Sequence, residues 1–151
     1  MADEPIRDLD ATDVTQVIVA LQEWINSLGI LSDYLYMEYT EGPAGFGFCI
    51  KSDGGAVMEE DIAGGFTAEV PFMIYHTTNA VPDGAGMIYK PLNDLSTWFR
   101  ANGPAGLQLG VRRIPYELTT LRGPTDMAGK DEDGNTTFFS IFQLTYDEEA
   151  I

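Results

Sequence analysis

The sequence has very few of the residues on which enzyme and metal sites are commonly built. Its 151 residues include one cysteine, Cys49, and one histidine, His76. A single cysteine excludes an internal disulfide and any multi-cysteine metal cluster. A Cys–His nucleophile pair would need both groups on one face of a sheet and a third group to orient the base. The sequence indicates no such partner, so we interpret Cys49 as a small buried apolar residue and His76 as the surface end of a strand.

Basic residues and long apolar runs are also scarce. Eight Lys and Arg against 24 Asp and Glu give a formal net charge of −16, and the one adjacent basic pair is Arg112-Arg113. Binding to DNA phosphates needs clustered basic side chains, so the charge argues against this mode of binding. No apolar run approaches the ~20 residues of a membrane helix, and the N-terminus does not resemble a signal peptide. We therefore expect a cytosolic product that makes no membrane contact.

The chain also lacks the patterns of ligand-binding loops. The run Asp131-Glu132-Asp133 superficially resembles a calcium loop, but apolar residues occupy the region where the bidentate glutamate would stand. Glu59-Glu60-Asp61 is interpreted as a solvated charge run. The glycines do not match a phosphate loop, which ends in Gly-Lys-Ser/Thr. We predict no catalytic residues, no cofactor site, no metal site and no enzymatic activity.

What the chain does have is enough apolar material for one core. Hydrophobic residues make up 44% of it, including eight Phe, seven Tyr and two Trp, while 16 Gly and eight Pro indicate many turns. A length of 151 residues is typical of one domain. We predict a single domain over residues 1–151, with residues 1–10 as a flexible charged arm.

Two segments have the periodicity of amphipathic helices. The first, near residues 12–28, follows an N-cap at Asp10 or Thr12 and ends at Gly29. The second, near 91–102, begins with Pro91 and ends at Gly103. Helical spacing predicts that their apolar stripes are buried: Val17, Leu21, Leu28, Leu92, Leu95 and Phe99.

The other apolar segments alternate with the period of a strand. The longest begins at Phe66 and continues to His76, with its even-numbered residues on one face; Pro71 within it predicts a bulge or an edge position. Residues 35–40 and 46–51 are predicted to form a hairpin, and residues 56–65 an extended connection. Further strands are predicted at 111–121, where Pro115 demands irregular pairing, and at 136–146. The order of elements predicts an α+β fold, a largely antiparallel sheet with two amphipathic helices packed on one face.

Several of these segments together resemble a known family. They are the run from Val70 to Thr78, the run from Leu92 to Phe99, a strand through Ile114 and the closing run from Thr136 to Tyr146. In this order they are similar to the tail-completion proteins of long-tailed bacteriophages, which include tail terminators and sequences labelled minor capsid protein. The amphipathic N-terminal helix fits the same pattern, so the resemblance covers most of the chain.

The resemblance implies a structural virion protein. Such a protein assembles as a homo-oligomer, a hexameric ring, on the last ring of the tail tube protein, stops tube growth and joins the tail to head connector proteins. DNA passes through the ring without specific binding. The implied location is the head-proximal end of the virion tail, after assembly in the host cytoplasm. The alternative is a small intracellular α+β module that binds a protein or ligand without catalysis.

Two loops are predicted to make the functional contacts. Residues 79–89 place Met87, Ile88 and Tyr89 behind a glycine-bearing segment, and exposed apolar residues of this kind suit a protein interface. Residues 123–135 carry the acidic tip Asp131-Glu132-Asp133, which would be costly to bury unpaired. We therefore expect the first group at a protein interface and the acidic tip facing water or the channel of the ring.

Overall fold

A computed structural model describes residues 4–31, 33–37, 47–78, 89–126 and 136–150. In chain order, the elements are β1 (Arg7–Asp8), α1 (Ala11–Leu28), β2 (Leu35–Met37), β3 (Gly47–Ser52), β4 (Ala56–Glu60), β5 (Phe66–Thr78), α2 (Lys90–Asn102), β6 (Arg113–Asp126) and β7 (Thr136–Glu148). The seven strands form one sheet, in which every described pairing except β2 with β3 is antiparallel. The predicted α+β class is confirmed.

The caps at the ends of both helices agree with the predicted boundaries. Asp10 caps α1 by accepting a 2.8 Å hydrogen bond from the Thr12 amide, and Gly29 ends the helix with a φ of 67°. In α2, Pro91 occupies the first turn and the Gly103 amide donates to the Phe99 carbonyl at 2.7 Å. Proline needs no hydrogen-bond partner in a first turn, so Pro91 suits the start of α2, and glycine tolerates the positive φ found at the end of both helices.

The long strand β5 lies at the centre of the sheet. On one side it pairs with β7 over its whole length, and on the other it pairs first with β4 and then with β3. Pro71 falls between the β4 pairs, which end at Glu69, and the β3 pairs, which begin at Phe72. A residue without an N–H is therefore placed where no neighbouring strand accepts from it. The strand is thus neither bulged at Pro71 nor at the edge of the sheet, but its pairing is interrupted there on one side. Pro115 lies, as predicted, beside a register shift in β6.

The core lies between the sheet and the two helices. Nine even-numbered residues in the middle of β5 and β7 face inward and are fully buried: Ala68, Val70, Phe72, Ile74, Phe138, Ser140, Phe142, Leu144 and Tyr146. Trp24 of α1 stacks on Phe99 of α2 with centroids 5.7 Å apart, and Phe99 meets Phe142 of β7 edge-on at 5.1 Å. These contacts show that both helices pack on the same face. Of the six helix positions predicted to be buried, all but the partly buried Leu28 are inaccessible to solvent.

Two strand predictions are wrong. β2 and β3 do not form a hairpin; they run parallel, with Leu35 opposite Phe48. The cause lies in α1, where Asn26 donates to the Leu35 carbonyl at 3.0 Å and accepts from its amide at 2.8 Å, while Gln22 donates to the same carbonyl at 2.9 Å. These side-chain amides fix the direction of β2 independently of any turn.

The second correction concerns residues 56–65, which are not a simple connection. Val57 is fully buried and Ala56–Glu60 pairs with the start of β5 as β4, so the segment forms a hairpin that turns at 61–65. Within the segment expected to be a flexible arm, Arg7–Asp8 pairs with β4 and Leu9 is buried.

Candidate interaction surfaces

Cys49 and His76 lie on opposite faces of the sheet. His76 is opposite Phe48 in the β3–β5 register and stacks on its ring with centroids 4.2 Å apart, on the inner face. Cys49 is the next residue in β3 and therefore points to the outer face, opposite Tyr75. A nucleophile and its base must be within hydrogen-bond reach, so these two residues do not form a catalytic pair.

His76 is more enclosed than the sequence suggested. It is half-buried, and its Nδ1 atom is buried without a hydrogen-bond partner among the described residues. Burial lowers the pKa of His76 below its ordinary value of 6.5 because a charged imidazolium is disfavoured away from water. The ring therefore acts as an aromatic core residue near neutral pH.

The outer face of the sheet carries an apolar patch near its centre. Tyr75 pairs with Phe139 and Met73 with Ile141 across β5 and β7, and all four side chains are only partly buried. The Arg122 guanidinium of β6 lies 5.5 Å from the centre of the Phe139 ring. Both helices pack on the inner face, so neither of them covers this patch.

Toward the β4 end, the outer face becomes acidic. Asp147 accepts a 2.6 Å hydrogen bond from Thr67, and Glu69 and Glu117 flank Thr145 from the two neighbouring strands. The pKa of Tyr116 is raised, first by partial burial and then by the carboxylates Asp147, Glu117, Glu59 and Glu69. These four carboxylates give this end of the sheet a negative potential.

The acidic residues are not arranged as ligands. Within the described ranges, no group of three or more His, Cys, Asp and Glu side chains is placed to hold a metal ion. The same ranges contain no helix that is both long enough and apolar enough to cross a membrane.

Arg113 ties the N-terminus of α1 to the sheet, and sequence reasoning missed it. One guanidinium donates to Asp13 and to Glu148, each at 2.7 Å, and to Gln16 of α1 at 2.8 Å. The Arg113 side chain is 14% exposed, and the buried hydroxyl of Tyr146 has no described partner. Burial raises the pKa of Tyr146 to about 12, with the charge of Arg113 opposing the rise. The cluster is structural, because each member is used to hold another in place.

The strand β6 forms one edge of the sheet. Among the described residues it pairs only with β7, and its register shifts three times. It exposes the large apolar side chains Ile114, Tyr116 and Leu121, each about half accessible. An edge strand with free backbone groups and exposed apolar side chains is a template for pairing with another chain.

An open groove is present beside the opposite edge. It has a volume of about 740 Å³ and lies between the start of α1 and the β3–β4 turn. Leu9, Val14, Gly55, Met58 and Pro71 are among the residues that line it. The groove is therefore of mixed apolar and polar character and is close to the N-terminal strand β1.

Of the predicted interface residues, the structure describes one. Tyr89 immediately precedes α2 and packs edge-on against Phe138, with ring centroids 5.0 Å apart. Met87, Ile88, Asp131, Glu132 and Asp133 lie outside the described residues. Their role in an interface stays a prediction.

The fold defines the chain as an α+β protein with two helices on one face of a mixed, mainly antiparallel sheet. No protein-family model matches it, and no curated protein matches it. Among solved structures, it is similar to a chain in a structure described as the virion of a native gene transfer agent (GTA) particle. The TM-score is 0.56 at 19% sequence identity, and the alignment covers 87% of this chain and 93% of that chain. At this level of identity, the similarity establishes a shared fold.

Proposed function

We propose that this protein is a structural component of a phage-like virion, which forms a ring at the end of the tail tube and joins the tail to the head connector. One observation carries the proposal: nearly the whole fold is shared with a chain of a GTA virion, with 87% of this chain and 93% of the other aligned. A match over both chains means that the complete architecture is similar, rather than one common motif. The sequence resemblance to tail-completion proteins supports the same assignment.

The charge of the chain supports a position around passing DNA. With a net charge of −16 per copy, a ring would repel phosphates over a Debye length of ~8 Å at physiological salt. DNA would then move through the channel without adhering to it. In this proposal the role is not catalytic, and the partners are further copies of the chain, the tail tube protein and the head connector.

Two loops contribute contacts in the same proposal. Met87, Ile88 and Tyr89 meet a neighbouring protein, and the acidic tip Asp131-Glu132-Asp133 faces water or the channel. Hydrogen exchange on the free protein and on assembled tails tests this assignment. Exchange across residues 79–89 should slow on assembly, and equal protection in both samples would exclude these residues from the interface.

Deletion of the gene in cells that produce the particles tests the proposed function. We expect free heads together with tail tubes longer than normal, and a plasmid copy of the wild-type gene should restore joined particles. If the protein is present in purified particles but its deletion leaves the junction intact, the position at the tail end is wrong. If it is absent from purified particles, the virion role is wrong.

One observation favours a second candidate function, a module that binds a protein or ligand. It is the open groove of about 740 Å³ at the start of α1. Native mass measurement separates the two functions: a ring supports the tail protein, whereas a monomer whose melting temperature rises with a ligand supports the module.

A further inference from the structure

Two opposite edges of the sheet have complementary features. One edge is β6 with the turn before it, where Val111 is fully exposed beside Arg112. The other is β4 with the turn after it, where Ile62 is fully exposed beside Glu59, Glu60 and Asp61. Each edge therefore combines a projecting apolar residue with charge, and the sign of that charge differs between the two.

The basic residues of the chain are concentrated near β6, which favours association through this edge. β6 and its neighbours carry Arg100, Arg112, Arg113 and Arg122, which are four of the eight basic residues in the chain. Arg113 is neutralised within its own copy by Asp13 and Glu148, so Arg100, Arg112 and Arg122 are the exposed basic side chains here, with Glu117 as the exposed carboxylate in the middle of β6. In a protein of net charge −16, this edge is the surface most suited to contact another acidic copy.

The acidic edge is also incompletely covered. β1 pairs with β4 only at Ala56 and Val57, so within the described residues Met58 to Glu60 have a free outer edge. Arg7 neutralises Glu60 through a 2.9 Å ion pair, whereas Glu59 is exposed, and the Asp61 carboxylate accepts only from the Gly65 amide among the contacts described. Both the backbone and the charge of this edge are thus available to a partner.

The strand directions allow the two edges to meet. β4, β5, β7 and β6 are successively antiparallel, so β4 and β6 run in opposite directions. One row of paired residues crosses the sheet through Glu60, Phe66, Glu148 and Arg113, which places the Ile62 and Val111 turns at the same end. If a second copy continues the sheet, its β4 lies antiparallel to β6 of the first, with its acidic turn beside Arg112.

We infer that copies of this chain associate head to tail, the β6 edge and Val111-Arg112 turn of one copy contacting the β4 edge and Glu59–Ile62 turn of the next. Such a heterologous contact leaves one edge free at each end of a dimer, so it continues until the series closes into a ring. The closure of the series into a ring rests on the proposed function. The contact between two copies does not, because it can form between purified chains in solution.

A charge exchange tests the contact, because the double variant keeps the net charge of the wild type. Wild type, Glu59→Lys, Arg112→Glu and the double variant Glu59→Arg/Arg112→Glu are compared by native mass spectrometry and sedimentation at about 1 to 200 µM protein. We expect wild type to form a closed ring and each single reversal to weaken association by about tenfold or more, because like charges then face each other. The double variant should recover association, since it restores opposite charges across every contact.

Matched controls separate the local contact from general repulsion. Glu23→Lys changes the net charge as Glu59→Lys does, but Glu23 is an exposed residue of α1 and lies on neither edge, so this change should leave association unchanged. Leu121→Lys on β6 should weaken association, whereas Val19→Lys on α1 should not; both side chains are exposed apolar residues in the free chain. Circular dichroism verifies that every variant is folded.

Three results would overturn the inference: a wild-type chain that stays monomeric throughout this range, equal effects of Glu59→Lys and Glu23→Lys, or a folded double variant that fails to recover. These failures differ from failure of the proposed function. A protein present at the head–tail junction but monomeric in solution refutes only the contact inferred here. A ring in solution that is absent from particles refutes only the virion role.

Discussion

Replacement of Arg113 by Met should destabilise the fold far more than the same change at its neighbour Arg112. The change leaves the carboxylate of Glu148, which is 15% exposed, without its 2.7 Å partner, and it removes the tie to α1 through Asp13. Breaking a buried ion pair from one side costs about 3–5 kcal/mol. Asp13 is 31% exposed, so its share is reduced toward the ~0–1 kcal/mol of a surface pair. We expect a loss of about 2–3 kcal/mol overall, at or below the lower limit of the range for a buried pair, because solvent reaches one partner.

Arg112→Met is the matched control, because it changes the net charge by the same amount as Arg113→Met and lies at the adjacent position. Arg112 is exposed, and its guanidinium makes one long contact, 3.4 Å to the Glu149 carbonyl. Its replacement should change the free energy of unfolding by no more than ~0.5 kcal/mol. Arg113→Lys should remain well below wild type, because an ammonium group does not reproduce a planar fork that reaches three different side chains.

Urea unfolding at neutral pH, followed by tryptophan fluorescence, measures these differences. The protein concentration must be low enough for all variants to be monomeric, since association also stabilises the folded state. A loss of 2–3 kcal/mol corresponds to a melting temperature lower by roughly 5–10 °C for a domain of this size. Equal destabilisation by Arg113→Met and Arg112→Met would refute the role assigned to the Arg113 cluster.

Three further predictions concern the core and the two residues once considered for catalysis. Leu21→Ala and Leu95→Ala should each lower stability by ~2–5 kcal/mol as buried large-to-small changes, and an unchanged melting temperature would contradict the layered core. Because the folded-state pKa of His76 is lowered, stability should fall as pH drops below about 6.5, while His76→Phe should flatten this part of the pH profile; identical profiles would be inconsistent with its burial. Cys49→Ala should leave particle assembly intact, and an unusually fast thiol reaction at neutral pH would argue otherwise.

The helices were predictable because their boundaries depend on local chemistry. Asp10, Gly29, Pro91 and Gly103 act within a turn of their own positions, and each helix begins and ends within one residue of its prediction. The inward face of β5 was also predictable, since alternation is a property of neighbouring residues. Pro71 even indicated a break in pairing, although the sequence did not show that two different strands meet there.

What could not be predicted depends on contacts between distant residues. The parallel direction of β2 follows from Gln22 and Asn26, whose side-chain amides bind the backbone of Leu35. The residues between α1 and β2 carry no sequence pattern that indicates this direction. The ion pair of Arg113 with Asp13 joins residues 100 positions apart. The exposure of Ile114 at a sheet edge can be deduced only when the order of the strands is known. The candidate interface at β6 could therefore not be predicted from the sequence.

The position of β7 sets the order in which this protein can acquire its structure during synthesis. β7 is the last strand of the sheet in the chain but lies between β5 and β6, and its pairs with β5 join residues 58 to 82 positions apart. Contacts of such long range form slowly. Until β7 has left the ribosome, the inner layer lacks Phe142 and Tyr146, and β6 lacks the strand with which it pairs. In the head-to-tail association inferred above, a chain truncated before β7 would therefore not present the β6 edge to the next copy.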